Sequence, residues 1–286
     1  MTPAEVAGGR LIVCPTPIGN LEDVTLRVLR VLREADTIAC EDTRHTGVLL
    51  ERHGLTGRLV SLHEHNEDAR ARELVGQMRE GSVVALVADA GTPLISDPGF
   101  ALVRACLGEG VPVEALPGPS AVTTALVASG LPADHWAFVG FLPRKRAELE
   151  RLLRQATSTL LAFESPRRLA TTLAVLAELD PKRPAAVCRE LSKLHEEVRR
   201  GTAGELAAHY AAQAARGEIV LAVGAAEADS ASREDALLAL RELVAAGARP
   251  RAAATALAGL TGRGANELYR ALTEAAPSDG SDAGGQ

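Results

Sequence analysis

The chain has 286 residues, 47% of them apolar and 24% charged, with a net charge of −6 and 2% aromatic residues. That length suits more than one domain, and that apolar share builds a sizeable core of Leu, Val and Ala. The acidic balance argues against a non-specific nucleic-acid binder but leaves room for a local basic face. In chain order, short apolar runs alternate with helical patterns. Strands are predicted at 10–14, 37–40, 58–62, 82–88 and 111–116. The helices between them fall at about 25–35, 43–53, 66–80 and 97–109. Runs such as VVALVA are apolar without alternation, as a strand covered on both faces requires. Strand–helix alternation argues a mostly parallel α/β sheet.

The turn LPGPSA, at 116–121, breaks the series, because two prolines around a glycine continue neither element. A second set follows, with strands at 135–141, 158–164, 184–188, 195–200 and 218–224 and helices near 120–129, 146–155, 166–179 and 203–215. Residues 233–275 carry helical spacing without a strand, broken at Gly247, Pro250 and 262–264. The expectation is two α/β domains (10–116 and 120–226, sheets mostly parallel or mixed), a small helical domain at 233–275 and a disordered Gly/Ser/Asp-rich tail at 276–286.

Cys14, Cys40, Cys106 and Cys188 lie far apart within apolar runs, with no CxxC spacing. They read as buried reduced thiols in a reducing compartment. No apolar run approaches the roughly 18 residues of a membrane helix. Residues 1–10 lack the basic and apolar regions of a signal peptide. A cytoplasmic protein with no membrane association is expected.

Four loops fall at carboxyl ends of predicted strands, where parallel α/β sheets bind ligands. PTPIGNLEDVT (15–25) is either a stiff crossover or a site, and Asp23 or Thr25 suits a helix cap. CEDTRHTG (40–47) sets Glu41, Asp42, Thr43, Arg44 and His45 in a row, more polar residues than one cap needs. In VADAGTPLISDPG (87–99) a buried strand runs into Asp89, Gly91 permits close backbone approach, and Asp97 reads as the cap of the next helix. In PGPSA, Ser120 and Ala121 begin a helix whose N–H groups suit a carboxylate or phosphate. HEHNE (63–67) lacks the HExxH spacing, and no metal is expected. Phosphate-loop, GxGxxG and GxSxG motifs are absent, which weakens kinase, dinucleotide and serine-hydrolase readings.

Together with FVGFLPRK, FESPRR, CRELSKLHEEVRRGT, GEIVLAVG and NELYRAL, these segments resemble, in order, the motifs of the ribosomal RNA small-subunit methyltransferase I family, within the tetrapyrrole-methylase-like fold. The resemblance covers roughly residues 10–275. It implies an S-adenosylmethionine-dependent enzyme that methylates a cytidine ribose 2′-oxygen in the decoding centre of 16S rRNA. It also implies a homodimer and a cofactor cleft between two α/β domains. Carried onto this sequence, the cofactor residues are Ala88, Asp89, Ala90, Gly91, Pro93, Ile95, Ser120, Ala121, Phe141, Leu191 and Ile219. Two departures from the family pattern, Ala265 in place of a lysine and the short AAEADS segment, fall toward the helical tail.

A ribose hydroxyl is a weak acid, so a general base would help methyl transfer. Glu41, Asp42 and His45 are the preferred group, with Asp89, His63 and Glu190 also candidates. RNA phosphates would meet Arg44, Arg144, Lys145, Arg146, Arg167 and Arg168, with a second arginine group at Arg249, Arg251, Arg263 and Arg270. Solvated helix faces are the plain alternative for these arginines. Rival functions are methylation of a tetrapyrrole or a protein side chain on the same fold, and a non-catalytic RNA-binding module for ribosome assembly.

Overall fold

The computed structural model describes residues 8–226, 230–261 and 264–274. The expected tail at 276–286, and Gly262 and Arg263, lie outside the described residues. The chain divides into two compact units, Met1–Ala225 and Ala226–Gln286. All ten predicted strands are present, with ends moved by at most two residues.

In the first unit, β1 (Arg10–Val13), β2 (Thr37–Cys40), β3 (Leu59–Ser61), β4 (Val83–Leu86) and β5 (Val113–Ala115) form one sheet in the order β3-β2-β4-β1-β5, every pair parallel. Successive side chains of a strand point to opposite faces. Leu11 and Val13 therefore enter a core with Leu74 and Leu102, while Ile12 and Cys14 enter another with Val28, Leu32 and Leu49. The first core holds α3 (Glu67–Arg79) and α4 (Phe100–Gly108); the second holds α1 (Leu26–Glu34) and α2 (Thr43–Arg52). Burial on both faces is why β4, at the centre of the sheet, is apolar throughout, whereas the edge strand β5 carries Glu114; each fully buried leucine contributes about 2 kcal/mol. Thr25 caps α1, its hydroxyl accepting from the Val28 N–H at 3.1 Å.

The second sheet has the order β6-β7-β10-β8-β9, built from β6 (Trp136–Phe141), β7 (Thr159–Glu164), β8 (Pro184–Arg189), β9 (Glu197–Thr202) and β10 (Ile219–Val223). Only β6 and β7 pair in parallel; β10 runs antiparallel to β7 and β8, and β8 to β9. The cause is one short link. Helices α6 (Arg146–Gln155), α7 (Leu169–Leu179) and α8 (Ala203–Ala212) each return the chain to its starting edge and keep strand direction. The connection at 190–196 holds no helix and reverses it. These three helices pack in one core, on Leu160, Val187 and Leu221. On the other face α5 (Ala121–Ser129) packs Val122, Ala125 and Leu126 against Leu161, Ala186 and Val220. Ile18, from the loop after β1, enters this same core and ties the two sheets together. The four cysteines are buried single thiols.

The second unit contains α9 (Ser230–Ala245), α10 (Pro250–Thr261) and α11 (Ala265–Glu274), packed through Leu240, Ala254 and Leu268. Gly247, at φ +92°, follows α9, and Pro250 opens α10, where a missing N–H costs nothing. The Arg251 guanidinium lies 5.5 Å from the Tyr269 ring centre. Among the described residues no helix is long and apolar enough to cross a membrane.

Candidate functional site

The first sheet changes direction of winding between β4 and β1, so the loops after these neighbouring strands leave the same edge side by side. They are stitched together there. Thr16 and Gly91 exchange backbone hydrogen bonds of 2.9 and 3.0 Å, and the Thr16 hydroxyl donates to the Ala88 carbonyl at 2.9 Å. Gly91 sits at φ +81°, and a Cβ there would meet Ile18 Cγ2 at 3.4 Å. The Thr92 hydroxyl donates to the Pro119 carbonyl at 3.1 Å, which fixes the loop to the turn before α5. Leu94 and Ser96 adopt left-handed φ values of 73° and 68°. Such residues cost about 1–2 kcal/mol each and persist where their surroundings hold them.

A cavity of about 410 Å³ opens beside this loop. Its walls come from Ala90, Ile95 and Ser96, the start of α5, and Phe141 at the end of β6. Residues 163–166 at the end of β7, Leu191 after β8 and residues 217–220 at the start of β10 complete it. Because β10 is antiparallel, its first residue Ile219 pairs with both Glu164 and Arg189 and so reaches the edge where β7 and β8 end. A second cavity of about 280 Å³ is lined by Thr16, His45, Ala88, Asp89, Lys193 and others, and shares Ile18, Ala90 and Glu218 with the first.

Of the residues expected to hold a cofactor, Ala90, Ile95, Ser120, Ala121, Phe141, Leu191 and Ile219 line the larger cavity. Ala88, Asp89 and Ala90 line the smaller one. Gly91 and Pro93 are buried behind the wall and shape it. Phe141 is 63% exposed and Ile95 41%, apolar surface left uncovered at the cavity. Ser120 stands at the N-cap of α5 without a side-chain cap, and Ala121 and Val122 bring the first turn of the helix to the wall. Helix-terminal N–H groups lack intrahelical acceptors and favour an anion.

The expected catalytic group separates in space. His45 lines the smaller cavity, whereas Glu41 and Asp42 line neither. Asp42 is the N-cap of α2, and both of its oxygens are engaged. Its Oδ1 accepts from the Arg44 N–H at 2.8 Å, and its Oδ2 from the Arg44 guanidinium at 2.6 Å. That guanidinium and N–H hold Asp42 well below the usual carboxylate range. The Asp42 N–H donates to Asp89 Oδ1 at 3.1 Å. Burial, then Asp89 and Asp42, raise Glu41, against the opposing influence of His63. Asn66 Oδ1 accepts from the His63 N–H at 2.9 Å, so its amide nitrogen faces His63 Nε2, 3.3 Å away. Among the described residues no three His, Cys, Asp or Glu side chains group to hold a metal. Glu190, another candidate base, is also occupied: its Oε1 accepts from the Glu218 N–H at 2.9 Å and from Lys193 Nζ at 3.1 Å. Those two contacts, the N–H first, hold it below its ordinary value. Gly217 and Gly19 make room for this clasp, since a Cβ would come within 2.4 Å of Glu190 or Lys193. The Ser192 hydroxyl donates to Asp23, and Thr25 rather than Asp23 caps α1.

Asp97 departs most from expectation. It does not cap α4; that helix begins at Phe100, after Gly99 at φ +126°. Glu67, in the first turn of α3, takes the duty instead, its Oε1 accepting from the N–H groups of Gly99 and Ala101 at 2.9 and 2.7 Å. Asp97 lines the larger cavity. Burial, reinforced by Glu41 and Asp89, pushes it up to about 7. Sequence reasoning also missed Ile18, Ser96, Ser165 and Glu218 as lining residues. FESPRR and GEIVL contained two of them, but no local signal told which side chains face inward.

The expected phosphate-binding side chains divide too. Arg168 donates to the Leu142 and Pro143 carbonyls at 3.2 and 2.7 Å and lies 3.5 Å from buried Glu164, so it is a structural staple rather than part of a rim. Arg146 is paired with Glu150 and Glu178, Lys145 with Glu148, and Arg44 with Asp42. Arg144 and Arg167 are exposed, and neither enters an ion pair among the described residues.

The model of the family Tetrapyrrole (Corrin/Porphyrin) Methylases matches residues 10–207. A protein of Mesorhizobium japonicum named ribosomal RNA small subunit methyltransferase I is 46% identical across 99% of this chain and 98% of its own length. A protein of the same name from Escherichia coli O157:H7 is 45% identical over 81% of this chain and 82% of its own. Among solved structures, a uroporphyrin-III-C-methyltransferase from Thermus thermophilus is similar with a TM-score of 0.56 and 26% identity, covering 76% of this chain and 94% of that one. The chain belongs to the tetrapyrrole methylase family and, within it, to the group whose members are named ribosomal RNA small subunit methyltransferase I.

Proposed function

We propose that this methyltransferase uses S-adenosylmethionine to methylate the ribose 2′-oxygen of a cytidine in the decoding centre of 16S rRNA. The observation that carries the reading is the pairing of an apolar cavity at a sheet edge with near full-length similarity to proteins named for rRNA methylation. A cavity of this size lies in the range that small ligands fill. The residues present fit the cofactor. Phe141, Ile95, Leu191 and Ile219 offer apolar surface to a flat base. The first turn of α5 suits a carboxylate, and Glu164 and Glu218 give the wall an acidic character that suits a sulfonium. When bound, S-adenosylmethionine supplies an electrophilic methyl group. Ala90 lines both cavities, Ala88, Asp89 and His45 line the smaller one, and Gly91 and Pro93 are buried in the same loop. Arg144 and Arg167, exposed and without ion pairs among the described residues, are the side chains best placed to meet phosphates. The working form is a cytoplasmic homodimer.

The test offers labelled methyl donor, in parallel, to small ribosomal subunits, free 16S rRNA and a porphyrinogen. Label on RNA supports the reading. Label on the porphyrinogen alone overturns the substrate, and failure to bind the donor overturns the activity.

A further inference from the structure

We propose that Asp97 is the residue that takes the proton from the acceptor hydroxyl during methyl transfer. The inference rests on the proposed methyl-transfer reading and assigns the base that the sequence left open.

Hydrogen bonds and ion pairs already engage most of the acidic side chains near the cavity. Asp42 is held by Arg44, Glu190 by Lys193 and the Glu218 N–H, and Glu218 by Lys193 at 3.0 Å. Glu164 accepts from the Thr172 hydroxyl at 2.6 Å and the Ser165 N–H at 2.7 Å. Asp89 accepts from the Asp42 N–H. Glu67 caps α4 and thereby frees Asp97 of the role its position in the chain suggests. Of the acidic side chains Asp97 and Glu41 remain, and only Asp97 lines the larger cavity; His45 lines the smaller cavity and His63 lines neither. Its backbone neighbour Ser96 is fixed in a left-handed conformation, in a loop tied at Thr16 and Pro119, so the carboxyl is carried on a rigid support.

The surroundings suit the role. Glu41 at the end of β2 and Asp89 after β4 act on Asp97, Glu164 and Glu218 lie across the cavity, and no Lys or Arg is among its lining residues. Burial and the two neighbouring carboxylates bring Asp97 to about 7, close to where a general base works best. In the reaction the acceptor oxygen bonds to the methyl carbon, and the carbon–sulfur bond breaks with its electron pair on sulfur. The hydroxyl proton passes to an Asp97 oxygen and then to water.

The test compares wild type with Asp97→Asn and Asp97→Glu in single-turnover methyl transfer to small ribosomal subunits across pH 5.5–9. S-adenosylhomocysteine affinity is measured alongside. Wild-type rate should rise through about pH 7 and level off above it. Asp97→Asn should slow transfer by about 10²–10⁴-fold, with a flattened pH profile and affinity within a few-fold. Asp97→Glu should recover part of the rate. Independently of turnover, infrared difference spectra of the unliganded protein should contain a protonated carboxyl band that disappears through about pH 7 and is missing in Asp97→Asn. Should Asp97→Asn fail to fold, Glu41→Gln serves: removing that charge should move the band's midpoint and the rate profile toward acid. A rate within threefold of wild type in Asp97→Asn, affinity lost in step with rate, or a band titrating near 4 in wild type would overturn the assignment. A wild-type protein that methylates no acceptor would instead overturn the reading on which the assignment rests.

Discussion

Replacing Glu67 by Ala removes a cap that comes from another helix. Its Oε1 accepts from Gly99 and Ala101 at 2.9 and 2.7 Å, and Gly99 is buried. Alanine leaves two N–H groups of the first turn of α4 without that acceptor and removes a negative charge from the positive end of the helix. Losing a side-chain cap costs about 1 kcal/mol, and the charge near the helix terminus adds about 0.3–1 kcal/mol. The unmet N–H is already counted in the lost cap, so the sum is about 2 kcal/mol. For a folded unit of roughly 200 residues that corresponds to a fall of about 4–8 °C in Tm. Calorimetry at fixed pH and protein concentration reads it directly. Glu67→Gln keeps an acceptor oxygen and should lose about half as much. A Tm within 1 °C of wild type for Glu67→Ala would refute the cap, and with it the reason for treating Asp97 as free.

Gly91→Val should cost about 2 kcal/mol, since a branched side chain at φ +81° is strained and crowds Ile18. Its S-adenosylhomocysteine affinity should fall at least tenfold by calorimetric titration; unchanged affinity would separate this loop from the cofactor. Phe141→Ala should weaken the same binding by about tenfold, the worth of a stacking ring, with little change in Tm because the ring is 63% exposed. Equal losses of Tm and affinity would make Phe141 a packing residue. Arg144→Gln should lower the slope of log affinity for small subunits against log salt by about 0.7–0.9, one phosphate's worth, whereas Arg146→Gln, already paired with Glu150 and Glu178, should leave it unchanged. Equal slopes for the two variants would contradict that division.

Much of the scaffold was legible in the sequence because its signals are local. A run such as VVALVA, short and rich in β-branched residues, reads as a strand covered on both faces, and its end marks the loop that follows. The direction of β10 was not legible, since IVLAV is apolar on both faces whichever way it runs. What decides it is the short 190–196 link, which reverses the chain. Asp97 was misread for a related reason. Asp-Pro-Gly before an apolar run carries every local mark of a cap, and the competing acceptor, Glu67, lies some thirty residues earlier in another helix. Arg168 looked like a phosphate ligand because it stands beside Arg167 in a basic pair, yet the carbonyls of residues 142 and 143 claim its donors. In each case a partner far away in sequence won over a pattern near at hand.

The central claim concerns which atom of which molecule receives the methyl group. Small ribosomal subunits lacking the modification, treated with this protein and labelled S-adenosylmethionine, can be digested to nucleosides and resolved by mass spectrometry. The account predicts label in a single nucleoside, cytidine methylated on its 2′-oxygen. Label on a base carbon or nitrogen, or on ribosomal protein, with the cytidine ribose unlabelled, would contradict it.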